Sequence, residues 1–140
     1  MKSSIIYYGI IPLGGSKMND YIINFLKEIM AIDSPSGYTK EVIHHCQKEA
    51  ENLGFHTHQT NKGNLEIYVE GQDDYTVGFC GHVDTLGLMV RSIKSDGTLA
   101  FTNVGGPIIP TLDGEYCRIH TRSGKCYTGT ILSNYPAVHV

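Results

Sequence analysis

The sequence predicts an α/β fold that gives way to a small all-β unit, and three observations lead there. Apolar residues recur at helical spacing between positions 19 and 53. From 55 to 81 the period shortens toward two, and the last run is apolar almost throughout. Beyond His82 helical spacing is absent, and glycine-containing turns separate short segments.

The first helix rests on Ile22, Phe25, Leu26, Ile29 and Met30, which share one stripe, with Asn19 as the expected N-cap. Asp33-Ser34-Pro35-Ser36-Gly37 is a loop signal that ends it. Thr39 is placed to cap a second helix carrying Val42, Ile43, Cys46, Ala50 and Leu53, and Gly54 stops it. Strands are expected from Phe55 to Thr60 and over the alternating Leu65, Ile67 and Val69. Tyr75 to Gly81 suits a strand buried on both faces. Ser95-Asp96-Gly97 and Arg122-Ser123-Gly124 then mark two hairpins, and the all-β remainder reads as part of a barrel-like unit with an exposed edge at its carboxyl end.

Composition narrows the function classes. The 140 residues are 41% hydrophobic, enough for a packed core, and the net charge of −3 gives no reason to expect nucleic acid or an anionic membrane as partner. No stretch approaches the ~18 apolar residues that span a bilayer. Lys2 followed by Ile5 to Ile11 imitates a signal peptide, but Pro12 ends the run and no small-x-small cleavage site follows. Cys46, Cys80, Cys117 and Cys126 form no Cys-x-x-Cys pair, which speaks against a structural zinc site. Cys46 and Cys80 read as reduced, buried thiols in a reducing compartment, with a Cys117–Cys126 bridge as the alternative to four free thiols.

The chemistry concentrates where the apolar strand runs into Gly81-His82-Val83-Asp84. In open α/β sheets, ligands gather beyond the carboxyl ends of strands. His82 there can offer a nitrogen to a metal, and Asp84 can orient it. Read alone, the motif is weak and fits a histidine satisfied by hydrogen bonds at a strand end better than a metal ligand. The remaining histidines suggest less. His44 and His45 are adjacent on a helix and read as solvated. His56 and His58 share a strand face, a transition-metal pair with no evident third ligand. The sequence suggests no metal-binding role for His120 or His139, and Asp73-Asp74 reads as a solvated turn.

Taken in order, several landmarks resemble the glutamyl, or tetrahedral, family of cytosolic co-catalytic zinc aminopeptidases. Ser34-Pro35-Ser36-Gly37-Tyr38 resembles its loop between the first two helices, and Gly63-Asn64-Leu65 its turn into the next strand. Gly81 to Val90 resembles its metal-site strand end. Asp96-Gly97, Gly105-Gly106 and Arg122-Ser123-Gly124-Lys125 resemble its inserted β domain. The resemblance covers about residues 20 to 135.

It implies an N-terminal part of a zinc-exopeptidase-like catalytic domain over 19–93, a partial inserted β domain over 94–140, and a leader over 1–18. It also implies a cytoplasmic peptidase that removes N-terminal residues from peptides with two divalent ions, zinc or cobalt. The β domain would assemble homo-oligomers. His82 would be a metal ligand, Asp84 its supporting carboxylate, and the other ligands and the general base would lie past Val140. Thr85 stands where the family usually carries an acidic residue, and Pro107-Ile108-Ile109-Pro110 replaces its aromatic and acidic residues. Two alternatives stay open: another dinuclear zinc peptidase or deacylase, which would place a helix after residue 87, or a non-catalytic oligomerisation remnant.

Because residues 1–17 show no match to the family and Met18 precedes the first helical stripe, Met18 is the expected natural start. Mass spectrometry of the native protein should then find no peptide from within Ser3 to Lys17.

Overall fold

The computed structural model describes residues 15–72 and 74–133. The apolar run before Pro12, Asp73 and His139 lie outside the described residues. The chain divides into two compact units between Thr85 and Leu86. The element order is α1 (Gly15–Ala31), α2 (Lys40–Asn52), β1 (His56–Gln59), β2 (Leu65–Tyr68), β3 (Gly87–Ile93), β4 (Leu99–Val104), β5 (Tyr116–His120) and β6 (Cys126–Thr130). The first unit mixes helix and sheet, in keeping with the α/β expectation.

Helix α1 starts at Gly15, so Asn19 lies inside it and is not the cap. Gly-Ser-Lys carries no apolar periodicity, which is why the sequence pattern begins late. The apolar stripe is also shared between two faces. Tyr21, Phe25 and Ile29 are half-buried, whereas Ile22, Leu26 and Met30 are exposed. The half-buried face meets α2. Tyr21 stacks on Phe25 at 6.3 Å, Phe25 stacks on the His45 ring at 5.7 Å, and the Tyr21 hydroxyl donates to Glu49 Oε1 at 2.7 Å. His45 Nε2 lies 3.1 Å from Glu28 Oε2. This corrects the reading of His45 as solvated: it joins two helices. His44, one position earlier, is exposed.

Helix α2 holds the best-buried apolar residues of the unit, Val42 at 0% and Ala50 at 4% exposure. Thr39 occupies its N-cap, but its side chain makes no capping hydrogen bond. The C-terminus closes as a Schellman motif. Phe55 N–H donates to Ala50 O at 3.0 Å and Gly54 N–H to Glu51 O at 2.9 Å, with Gly54 at φ +85°. The Cys46 thiol, on the inner side of α2, is pushed up by burial.

Three antiparallel hairpins follow: β1–β2, β3–β4 and β5–β6. One turn design closes all of them. In Thr60–Asn64, Lys94–Thr98 and Thr121–Lys125 the fourth residue is glycine at φ +80 to +88°, and its N–H donates to the first carbonyl. The first residue's N–H then donates to the fifth carbonyl at 2.9 Å. This is the type I turn with a left-handed glycine, the usual three-residue hairpin loop. Asp96 reinforces the middle turn by accepting from the Thr98 N–H and hydroxyl. A bulge at Arg91 breaks the β3–β4 register between Val90 and Ser92.

One expectation is corrected. Tyr75 to Gly81 forms no strand; it is irregular and exposed, with Phe79 at 95%. A doubly buried strand needs neighbours on both edges and layers on both faces, and no described residue supplies them. Cys80 in this segment is exposed accordingly, and all four thiols are free. In the second unit β3–β4 and β5–β6 stay separate ladders, so the described residues close no barrel. Gly105-Gly106-Pro107 and Pro110 separate β4 from β5, and the prolines have no N–H to donate to a ladder. A single 3-10 turn, Ile109–Leu112, interrupts this β unit.

Partial burial, the hydrogen bond to Glu49 and the charges of Glu49 and Glu28 push the Tyr21 phenol up to about 12 from 10.0. The protonated phenol therefore favours the folded state. Its contribution should be complete below pH 10.0 and disappear as pH rises from 10.0 to about 12. In an alkaline absorbance titration, Tyr21→Phe should remove a phenol that ionises near pH 12.

Candidate metal-site strand end

The segment Gly81–Thr85 has no strand around it, yet it is held. Ser34, fully buried, donates its hydroxyl to Val83 O at 3.0 Å. Thr85 N–H donates to Ser34 O at 2.8 Å, and Pro35 and Thr85 form a parallel β-bridge. The loop reaches this position through a tight turn: Tyr38 N–H donates to Pro35 O at 2.7 Å and Gly37 takes φ +87°, a conformation open to glycine at little cost. Pro35 fixes its own backbone angle as the turn begins.

The clasp positions the side chains. The Ser36 hydroxyl donates to Asp84 Oδ2. The other carboxylate oxygen, Oδ1, lies 3.1 Å from His82 Nδ1, and Asp84 O lies 3.2 Å from the same nitrogen. The Ser36 hydrogen bond is the chief cause that holds the Asp84 carboxyl below the usual carboxylate range, and the His82 imidazole adds to it. An ionised Asp84 can only accept, so Nδ1 of a neutral His82 carries the proton. Its Nε2 is then left with a lone pair, on a side chain that is 84% exposed.

This donor set fits one arm of a divalent-metal shell: an imidazole oriented through its far nitrogen by a carboxylate. It does not make a site. A catalytic zinc takes three protein ligands, and no group of three or more His, Cys, Asp or Glu side chains able to hold an ion occurs among the described residues.

The structure thus brings His82 and Asp84 together and adds two residues the sequence reading left without a role, Ser34 and Ser36. Their loop was singled out, but 48 and 49 positions separate its serines from their partners. A cavity of about 460 Å³ lined by Gly37, Tyr38, Lys40, Ile43, Gln59 and Lys62 among others includes neither His82 nor Asp84. No helix among the described residues is long and apolar enough to cross a membrane.

Comparisons with known proteins converge on this region. The M42 glutamyl aminopeptidase family matches residues 63–140. YhfE of Bacillus subtilis (strain 168), a protein named as a candidate aminopeptidase, is 41% identical over 119 residues, covering 84% of this chain and 34% of its own. The crystal structure of a TET aminopeptidase from the marine sediment archaeon Thaumarchaeota archaeon SCGC AB-539-E09 matches with a TM-score of 0.76 at 28% identity. It covers 85% of this chain and 33% of its own. The chain therefore spans about a third of the length of these relatives.

Removing the buried Ser34 hydroxyl strands the Val83 carbonyl. Ser34→Ala should lower stability by about 1–3 kcal/mol in denaturant titration and speed hydrogen exchange at the Thr85 amide. Over more than half of its length, and through the segment that carries His82 and Asp84, this chain belongs to the M42 glutamyl aminopeptidase family.

Proposed function

We propose that this chain supplies the first metal-binding strand end of a metal-dependent aminopeptidase, a hydrolase that removes N-terminal residues from peptides. The observation that carries the reading is the Ser36–Asp84–His82 chain of hydrogen bonds inside the family match. His82 Nε2 is the ligand atom, Asp84 sets its tautomer and direction, and Ser36 keeps Asp84 ionised and in place. Ser34 holds the segment from beneath. Two divalent ions, zinc or cobalt, would supply a water of lowered pKa and a polarised scissile carbonyl.

In this reading the remaining ligands and the general base come from the two-thirds of the relatives' length that this chain does not span. The same missing part would cover Tyr75, Val77 and Phe79, turning the exposed segment into the central strand its composition suits. The β part beyond residue 93 is the start of an inserted domain that assembles homo-oligomers, and the enzyme works in the cytoplasm. Strand β3 begins at Gly87, where a related deacylase would continue as helix, and this favours the aminopeptidase over that alternative.

A chimera tests the proposal. This chain should replace the matching third of YhfE with retention of chelator-sensitive release of N-terminal residues. His82→Ala should abolish that release, and Asp84→Asn should cost about 10–100-fold in metal affinity or activity. The 140-residue chain alone should cleave no aminoacyl reporter. Undiminished activity of the His82→Ala chimera would sink the assignment.

A further inference from the structure

The β1–β2 hairpin places two histidines where they can act together. His56 and His58 alternate with Thr57 along β1, so both imidazoles leave the same face, with Cα atoms about 6.7 Å apart. Thr57 points the other way: its hydroxyl donates to Glu51 at 2.9 Å and accepts from Gln47 at 3.2 Å, which fastens the opposite face to α2. The histidine face is thereby fixed outward, and both residues are exposed. Across the ladder His56 stands opposite Tyr68 and His58 opposite Glu66. The Tyr68 hydroxyl donates to Glu66 Oε2 at 2.8 Å, which ties one carboxylate oxygen beside the histidine pair. Glu66 adds negative charge next to His58 without closing a three-ligand cage.

We propose that His56 and His58 form a second metal site, separate from His82: a two-imidazole chelate for a borderline transition ion, completed by water. Imidazole nitrogens suit Cu(II), Ni(II) and Zn(II), and Cu(II) binds such nitrogen sites most tightly. Chelation is the source of its strength. Once one ring is bound, the second binds intramolecularly, which raises affinity by about a hundred-fold over a single histidine. The other adjacent pair lacks this geometry, because His44 and His45 leave α2 in different directions and His45 already meets Glu28.

Cu(II) titration of the His82→Ala chain separates this site from the proposed catalytic one. One ion should bind, with nitrogen hyperfine coupling in its electron paramagnetic resonance spectrum. His56→Gln and His58→Gln should each weaken binding about a hundred-fold, and His44→Gln should leave it unchanged. Both substituted histidines are exposed, so the fold should tolerate their loss. Undiminished affinity in either glutamine variant, or an equal loss with His44→Gln, overturns the proposal.

Discussion

The first unit hangs on the contact between a buried serine and a backbone carbonyl. Ser34 donates to Val83 and its own carbonyl receives the Thr85 N–H, so a single residue fixes both the height and the direction of the Gly81–Thr85 segment. The next-but-one residue, Ser36, then holds Asp84, which holds His82. Backbone is set first, carboxylate second and imidazole third. Each step is a hydrogen bond from a group whose alternatives burial or conformation has already reduced. That order explains how an exposed histidine can still present a defined nitrogen.

Much of the fold was legible because its signals are local. Gly63, Gly97 and Gly124 announced three turns, and each turn is built around that glycine. Gly54 announced the end of α2. The failures have a common cause. Apolar composition at Tyr75–Gly81 records that a segment suits burial, and says nothing about what buries it. Helix α1 began early because Gly15, Ser16 and Lys17 contribute helix without contributing pattern. His45 looked solvated because its partners, Phe25 and Glu28, belong to a different helix.

The site was half legible. His82 and Asp84 stand two residues apart on an extended segment, so their pairing followed from spacing. Ser34 and Ser36 did not, since nothing in one sequence ties a loop to a strand end 48 or 49 residues later. A buried serine in a Pro-Gly turn is a weak cue at best. Its meaning comes from the groups it reaches.

The turn design shared by the three hairpins also orders events during folding. Each hairpin closes over three loop residues, and hairpins of this kind form in about 1–10 μs. The Ser34 clasp instead joins residues 49 positions apart and must first overcome the entropy of closing that long loop. The β-ladders therefore rest on local closure, which costs little chain entropy, although a two-stranded ladder by itself is only marginally stable. The segment bearing His82 depends instead on a closure that spans α2 and β1–β2, the most entropically costly contact at the site.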